Sequence, residues 1–413
     1  MTVVPAGGRP APTAAPAPTV GTPVRQIADD LDLTIVVPAL QDAFGDRFGG
    51  FWIDPRSGGD VLHVGVVGAT PDDAAAVGRV TGGHPGVVTD PVELGYDELL
   101  AAQDEVARSL AGTTDNVAVT ADVATSSVVV QPAADNLAEV AEVVPAARAA
   151  ARRGVTAERA KAPTDTGTVG DTRGGAAPPA PDPATAVVVE PDPTISITPA
   201  VDRLGWRVYE AGLLATTASS SRRTACTSGF TFHHARWGYY GSTAGHCNPM
   251  PSFFGLGHRW IGGMAANKYY GVTRVAADVS MVSLTANRVG ISATIRSNPS
   301  TMVDARYANS QLGVGLRLCF DGVASDTGNC GTVVRANEWL CCDSSGHWFL
   351  FTCINYPSAS GDSGAPVYQR KTNGRSVAAG MVSSSVVING QRLTCFTTVQ
   401  NIENQTNTRI VLR

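Results

Sequence analysis

Several features are missing from this 413-residue chain, and each absence excludes a class of function. No run of about eighteen apolar residues occurs, so the sequence predicts no segment that spans a membrane. No Cys-x-x-Cys pair is present and Cys341 and Cys342 are adjacent, which is poor spacing for zinc, so neither a metal nor another cofactor is expected. Lysine is almost absent from residues 201–413 and no basic run appears there, which argues against nucleic-acid binding.

Cysteine is also missing from the first 225 residues, because all eight cysteines lie between Cys226 and Cys395. An even number confined to one region is typical of disulfides formed in an oxidising compartment. We therefore expect a secreted protein. Residues 1–23 nevertheless show neither the charged start nor the continuous apolar core of a signal peptide, and the sequence does not decide the export route.

Charge divides the chain into two parts. Residues 1–200 carry 12 Lys+Arg and 26 Asp+Glu, a formal charge of −14, whereas residues 201–413 carry 19 and 10, a formal charge of +9. Opposite charges of this size favour contact between the two parts.

Composition and periodicity predict four regions. Residues 1–30, rich in Pro, Ala and Thr, are typical of a disordered lead-in. Residues 31–161 alternate helical and strand patterns and predict an α/β (α+β) domain, with helices at 40–48, 96–110 and 136–153 and a helix capped by Thr70. Residues 162–199 have the composition of a flexible linker. Residues 200–413 contain many short strands between turns and one helix at 398–406, which predicts an all-β barrel or sandwich.

Residues 361–366 read Gly-Asp-Ser-Gly-Ala-Pro, a turn that can carry a nucleophile. A serine attacks a carbonyl only when a neighbouring base removes its proton and when N–H groups face the developing oxyanion. Small flanking glycines would expose Ser363 and direct the amides of Gly361 and Ser363 to one point. A Gly/Ser/Asp surface turn is the competing interpretation.

A second motif, Thr-Ala-Gly-His-Cys at residues 243–247, supplies the base, His246. Together the two motifs resemble those of chymotrypsin-like serine proteases, and most closely the secreted bacterial branch typified by α-lytic protease and the streptogrisins. The resemblance is good from Cys226 to the C-terminus. It is looser over residues 40–154, where residues 48–54 and 119–124 resemble the pro-regions of that branch.

This resemblance implies a zymogen with an N-terminal pro-domain, followed by two six-stranded antiparallel barrels with the active site between them. The partners would be protein or peptide substrates and the chain's own pro-domain, and the protein would be a monomer. The acids between His246 and Ser363 are Asp278, Asp304, Asp321, Asp326, Glu338 and Asp343. Of these, Asp278 best fits the third triad position because it precedes an alternating apolar strand. Asp304 is the second candidate, and Asp321 and Asp326 are expected to be exposed. Asp362 would pair with a new N-terminus or stay buried and hydrogen-bonded.

The resemblance also implies the disulfides Cys226–Cys247 and Cys319–Cys330. Pairing among Cys341, Cys342, Cys353 and Cys395 stays open, because Pro357 stands where the family usually has a cysteine and Ala365 stands where glycine is commoner. The two walls of the primary substrate pocket would be formed by Pro357, Ser358, Ala359 and Ser360 and by Val382, Ser383, Ser384 and Ser385. Neither wall contains a carboxylate, which favours an uncharged, small or medium apolar substrate side chain.

Three functions are compatible with the sequence. The first is a secreted serine endopeptidase, for which the His246, Asp278 and Ser363 set argues. The second is a catalytically inactive, protease-like binding protein, and the third is a cell-surface interaction protein in which the acidic part and the linker matter most.

Overall fold

The computed structural model describes residues 27–54, 60–110, 117–132, 137–161, 187–189, 196–199, 214–218, 223–247, 252–254, 260–267, 274–284, 293–295, 301–341 and 347–413. The predicted lead-in lies outside these residues except for its last four, and the predicted linker lies outside them except for two short strands. Over the described residues, no helix is long and apolar enough to cross a membrane.

The N-terminal part, residues 27–161, is an α/β unit. Its helices are α1 (Ile27–Asp30), α2 (Leu33–Phe44), α3 (Pro71–Val80), α4 (Tyr96–Leu110) and α5 (Leu137–Arg159). Its strands are β1 (Phe48–Asp54), β2 (Val61–Val67), β3 (Val87–Val92), β4 (Val117–Asp122) and β5 (Ser127–Pro132). Strands β1, β2 and β3 form a three-stranded sheet in which β3 runs parallel to β2.

Local sequence explains where several of these helices begin. The predicted cap of α3 is confirmed, because Thr70 and Asp73 form a capping box and Pro71 occupies the first turn. Helix α4 has the predicted bounds, and its buried residues recur at helical spacing. Helix α2 differs from the prediction, since it begins at Leu33 after the Asp32 cap and contains Pro38. Helix α5 runs through Pro145 as one continuous helix and extends to Arg159, beyond the predicted end at residue 153.

The C-terminal part is built almost entirely of strands. Two short strands, β6 (Val187–Val189) and β7 (Ser196–Pro199), lie within the predicted linker. The strands of the C-terminal part itself are β8 (Leu214–Ala218), β9 (Arg223–Thr227), β10 (Thr231–His234), β11 (Gly238–Thr243), β12 (Ser252–Phe254), β13 (Trp260–Asn267), β14 (Arg274–Val275), β15 (Ser280–Ser283), β16 (Thr294–Ile295), β17 (Thr301–Arg306), β18 (Arg317–Gly322), β19 (Asp326–Cys341), β20 (Trp348–Ile354), β21 (Pro366–Arg370), β22 (Arg375–Ile388), β23 (Gln391–Thr398) and β24 (Arg409–Ile410). The predicted helix near the C-terminus is α6 (Val399–Thr406), capped by Thr398.

Two sheets organise these strands. An eight-stranded sheet has the order β24-β10-β11-β15-β13-β12-β8-β9. A thirteen-stranded sheet follows the path β14-β20-β23-β22-β21-β18-β19-β4-β5-β6, with β7 and β17 also paired to β22 and β16 paired to β17. The predicted mostly β, mostly antiparallel second part is therefore present, whereas its division into two six-stranded barrels stays a prediction.

The larger sheet joins the two parts of the chain. Strand β4 pairs antiparallel with β19, so that Val119 lies opposite Trp339 and Ala118 lies opposite Leu340. Two apolar clusters also contain residues of both parts, one around Phe51 and Leu312 and the other around helices α4 and α5 with Trp339. Lys371 and Asp32 add an ion pair of 2.8 Å across the contact. Main-chain pairing and apolar packing thus account for much of the described contact.

Candidate active site

The turn that carries Ser363 has a backbone that favours glycine at two positions. Gly361 has a φ of +106° and Gly364 a φ of +90°, a region that residues with a Cβ rarely adopt. A Cβ at Gly364 would also collide with the carbonyl oxygen of Thr227 and the hydroxyl of Thr243. These glycines let the chain turn sharply on both sides of Ser363.

Strand β9 holds the turn through two hydrogen bonds from Thr227. The amide of Thr227 donates to the carbonyl of Ser363 at 2.8 Å, and its hydroxyl donates to the carbonyl of Gly361 at 2.8 Å. The carbonyl of Asp362 accepts from the amide of Ala365 at 2.8 Å. Because N–H and C=O point in opposite directions across a trans peptide, the Ser363 amide points away from that bond. Its role as an oxyanion donor, and that of Gly361, stay predictions.

His246 lies in a 3-10 turn, Gly245–Cys247, directly after β11. A disulfide joins Cys247 to Cys226 on β9, and both sulfur-bearing side chains are buried. The turn is thereby fixed to the strand that also holds Ser363.

Asp278 stands two residues before β15. Strand β15 pairs with β11, and His246 follows β11 in the chain. Its Oδ1 accepts from the His246 amide at 3.0 Å, and its Oδ2 lies 2.7 Å from Nδ1 of the ring. The other ring nitrogen, Nε2, lies 2.9 Å from Ser363 Oγ. Since an ionised carboxylate only accepts, Nδ1 carries the proton and Nε2 faces the serine as an acceptor.

Ser383 completes the surroundings of Asp278. Its hydroxyl donates to Asp278 Oδ2, and its carbonyl oxygen lies 3.5 Å from Ser363 Oγ. The register between β22 and β23 shifts between Val382 and Ser384, so Ser383 occupies an irregularity in the strand. Such irregularities re-aim side chains beside functional sites.

Electrostatics keep Asp278 charged. Burial alone would raise the pKa of this fully enclosed carboxyl group, but the charge of His246 and hydrogen bonds from His246 and Ser383 outweigh it. The pKa of Asp278 is therefore lowered from its ordinary value. An ionised Asp278 can orient the imidazole and stabilise its protonated form.

Asp362 is buried and hydrogen-bonded, which is one of the two environments expected for it. Oδ1 accepts from the amides of Ala324 and Ser325, each at 3.0 Å, and Oδ2 accepts from the Ala359 amide at 2.8 Å and from the Ser325 hydroxyl. The β18–β19 turn thus supplies donors that hold the residue before the nucleophile without a new N-terminus.

The other candidate acids lie apart from His246 or differ from expectation. Asp304 is on β17 and pairs with Arg375 at 3.1 Å. Asp321 was expected to be exposed, and this is wrong: it is 1% exposed and accepts from Tyr368 Oη at 2.5 Å and from the Gly328 amide at 2.6 Å. Asp321 lies in the hairpin that the Cys319–Cys330 disulfide closes. It is nevertheless buried, because β18 lies beside β21 and Tyr368 of β21 contacts its side chain. The side chain of Asp326 and all of Asp343 lie outside the described residues.

The residues expected to form the two pocket walls occupy different environments. On the first wall Pro357, Ala359 and Ser360 are exposed and Ser358 is buried, whereas on the second wall Val382, Ser383, Ser384 and Ser385 are all buried on β22. The hydroxyls of Ser358 and Ser384 are buried and have no hydrogen-bond partner among the described residues. The predicted preference for an uncharged substrate side chain stays a prediction.

Three disulfides are present among the described residues. Cys226–Cys247 and Cys319–Cys330 are the pairs implied by the sequence resemblance. The third, Cys353–Cys395, links β20 to β23 where the two residues lie opposite each other. The side chain of Cys341 and all of Cys342 fall outside the described residues.

Sequence reasoning assigned Ser383 to the pocket wall and missed its hydrogen bond to Asp278. It also missed Thr227, which holds two carbonyls of the nucleophile turn. No local pattern marks either residue, because each acts on a segment distant in sequence.

Comparison with known proteins gives structural matches only. No protein-family model matches the chain, and no curated protein matches it. Among solved structures it is similar to Thermobifida fusca protease A, with 19% identity and a TM-score of 0.38, covering 49% of this chain and 98% of that one. It is similar to Nocardiopsis protease at 20% identity and a TM-score of 0.38 (48% and 97% covered), and to Cellulomonas bogoriensis chymotrypsin at 21% and 0.36 (49% and 98%). These structure neighbours are bacterial chymotrypsin-like proteases.

Proposed function

We propose that the protein is a secreted serine endopeptidase made as a zymogen. The observation that carries this proposal is the continuous hydrogen-bond chain from Ser363 Oγ through His246 to Asp278, with distances of 2.9 and 2.7 Å. A hydroxyl, an imidazole and a buried carboxylate in this order are the groups that activate serine for acyl transfer.

In the proposed reaction Ser363 Oγ attacks the carbonyl carbon of a peptide bond, and His246 Nε2 accepts the hydroxyl proton. Asp278 keeps the imidazole in the required tautomer and stabilises its positive charge. His246 then protonates the leaving amine, which departs and leaves an ester on Ser363. Water hydrolyses this ester with His246 again acting as the base. The amides of Gly361 and Ser363 are the proposed donors to the oxyanion.

The proposed substrate side chain is uncharged and small or medium in size. This rests on the residues proposed for the pocket, Pro357 to Ser360 and Val382 to Ser385, which include no carboxylate to pair with Lys or Arg. On the second wall, serine stands at residues 383–385 and would leave less room than glycine.

Residues 31–161 are the proposed pro-domain. In support, β4 extends the sheet of the C-terminal part. Gln103 Nε2 donates to Val119 O within the N-terminal part at 2.8 Å and to Asn337 O of the C-terminal part at 2.6 Å. Non-local β structure folds slowly, so a pre-folded partner could speed its folding. Disulfides in the C-terminal part support an extracellular location.

Labelling with a fluorophosphonate tests the chemistry, because the probe reacts only with a serine that a base activates. We expect labelling of Ser363 in the chain after cleavage at a bond between about residues 154 and 218. Ser363→Ala should abolish labelling, and His246→Ala should slow it by more than about 10³-fold. Asp304→Asn, which alters a carboxylate that pairs with Arg375, is the matched control. A folded, cleaved chain that is not labelled would favour the alternative, a protease-like binding protein.

A further inference from the structure

Thr227, the last residue of β9, lies beside the nucleophile turn and is completely buried. Its amide donates to the carbonyl oxygen of Ser363 and its hydroxyl donates to the carbonyl oxygen of Gly361, both at 2.8 Å. These two carbonyls belong to the same residues whose amides are the proposed oxyanion donors. A single residue therefore fixes both halves of the proposed oxyanion hole.

The peptide group between Gly361 and Asp362 is held at both ends. Its carbonyl accepts from the Thr227 hydroxyl, and its N–H donates to the carbonyl oxygen of Ala359 at 3.1 Å. The second bond closes a four-residue turn with Ser360 and Gly361 at its centre, and the φ of +106° at Gly361 is typical of the third position of a type II turn. Glycine itself has little preference between positive and negative φ. The direction of the Gly361 amide therefore depends on the groups that hold the ends of this turn.

Two neighbouring segments hold Thr227 in its place. Its hydroxyl oxygen accepts from the amide of Val323 in the β18–β19 turn at 3.1 Å, and its carbonyl oxygen accepts from the hydroxyl of Thr243 on β11 at 2.8 Å. A hydroxyl carries one proton. Because the Val323 amide already points at the oxygen, that proton is directed to Gly361. The turn that supplies donors to Asp362 thus also orients the Thr227 hydroxyl.

We propose that Thr227 is a positioning residue of the reaction, whose hydroxyl keeps the amides of Gly361 and Ser363 aimed at the oxyanion. The inference rests on the proposed function and deepens it by naming a residue that supports the transition state without touching the substrate. Loss of the hydroxyl would leave the carbonyl of Gly361 and the amide of Val323 buried without partners, and the turn would shift to satisfy them.

The expected effect falls on kcat. Removal of one oxyanion donor costs about 10²–10³-fold in kcat, and a displacement of about 1 Å in a reacting group can cost about 10²-fold. The negative charge exists only while the carbonyl is being attacked, so a misplaced donor weakens the transition state and leaves substrate binding nearly unchanged.

Three substitutions in the full chain test the inference. Thr227→Val has nearly the same shape and lacks the hydroxyl, whereas Thr227→Ser keeps the hydroxyl and lacks only the methyl group. Thr301→Val is the matched control: Thr301 is also buried, and its hydroxyl donates at 2.8 Å to the carbonyl oxygen of Gly374, another glycine of positive φ. Each chain is cleaved as for the labelling experiment, and fluorophosphonate labelling of Ser363 carried to completion counts the active sites.

Thr227→Val should lower kcat per active site on a chromogenic peptide by about 10- to 100-fold with little change in KM. Thr227→Ser and Thr301→Val should stay close to the unaltered chain. The urea midpoint should fall by similar amounts in Thr227→Val and Thr301→Val, because each loses a buried hydrogen bond. Lost stability then does not account for the lost rate.

A peptide aldehyde gives a second readout that a merely structural role would not move. Ser363 Oγ adds to the aldehyde carbon, the serine proton moves to His246, and the aldehyde oxygen becomes an oxyanion. Affinity for this inhibitor should fall in Thr227→Val by about the same factor as kcat/KM, since both depend on the same donors.

Two kinds of result would overturn the inference. If folded Thr227→Val keeps the kcat of the unaltered chain, or if Thr227→Ser or Thr301→Val loses as much, the Thr227 hydroxyl is not a positioning group and the proposed function still stands. Should Thr227→Val fail to fold, Thr227→Ala replaces it and the same outcomes decide. If the unaltered chain, folded and cleaved, neither reacts with fluorophosphonate nor hydrolyses peptides, the proposed function fails and the inference with it.

Discussion

Substituting Gly313 by alanine tests whether the two parts of the chain contact each other as the structure describes. Gly313 belongs to the C-terminal part, and a Cβ built on it would lie 2.5 Å from Cε2 and 2.7 Å from Cζ of Phe51 in the N-terminal part. Carbon atoms in contact settle at about 3.5–4.0 Å, so the ring would have to move by about 1 Å. Phe51 is 3% exposed and sits in a packed apolar cluster, which leaves it little room.

The expected loss follows from this crowding. Overpacking of a buried site costs about 1–3 kcal/mol. If this cost falls on the contact between the two parts, their affinity should drop by about 5- to 150-fold, since each 1.4 kcal/mol is a factor of ten. The isolated C-terminal part should lose little stability, because Phe51 is then absent.

The assay uses the Ser363→Ala chain, which lacks the proposed nucleophile. An added protease nicks it between residues 162 and 186, and dissociation of the two pieces is measured on dilution. Gly331→Ala is the matched control, because its Cβ would crowd Tyr356 at 2.9 Å within the C-terminal part. Phe51→Leu should partly restore binding to the Gly313→Ala chain. Unchanged affinity for Gly313→Ala, or an equal loss with and without Phe51→Leu, would refute the described contact.

Three further predictions concern the site, the interface and the disulfides. Asp278→Asn should lower kcat/KM on a chromogenic peptide by about 10⁴-fold, whereas Asp304→Asn should leave it nearly unchanged; equal losses would contradict the assignment of the acid. Burial raises the pKa of Glu338 against the opposing effects of Arg335 and Thr120, so the docked form retains a proton more readily. The contribution of Glu338 to the affinity between the nicked parts should be complete below about pH 4.3 and be lost as the pH rises through the docked pKa, and Glu338→Gln should remove this part of the pH dependence. Cys353→Ser should lower the free energy of unfolding by about 2–5 kcal/mol in non-reducing urea titrations, and an unchanged midpoint would argue against the bond to Cys395.

Strongly periodic segments were predictable from sequence. Helix α4 has the predicted bounds, 96–110, because its apolar residues recur at helical spacing and bury one face. Strand β3 was not predicted: Asp90 and Pro91 interrupt its apolar pattern, and it is a strand because β2 provides a parallel partner. Strand β19 is longer than the short strands predicted for residues 200–413, because pairing with β18, β20 and β4 extends it over sixteen residues.

The sequence by itself determined the chemistry-bearing residue types and their local settings. Two short motifs contain His246 and Ser363 together with the glycines that their turns require, and Asp278 stands before an apolar strand. These signals are readable because turn geometry and strand alternation depend on neighbouring residues.

Only the tertiary structure decided which distant groups meet. The bond from Ser383 to Asp278, the support of Thr227 under the nucleophile turn, and the pairing of Pro199 with Ser384 each join segments that are far apart along the chain. The burial of Asp321 and the pairing of Cys353 with Cys395 likewise depend on which strands lie side by side. Strand order is set by the balance of packing over the whole sheet, and no local pattern contains it.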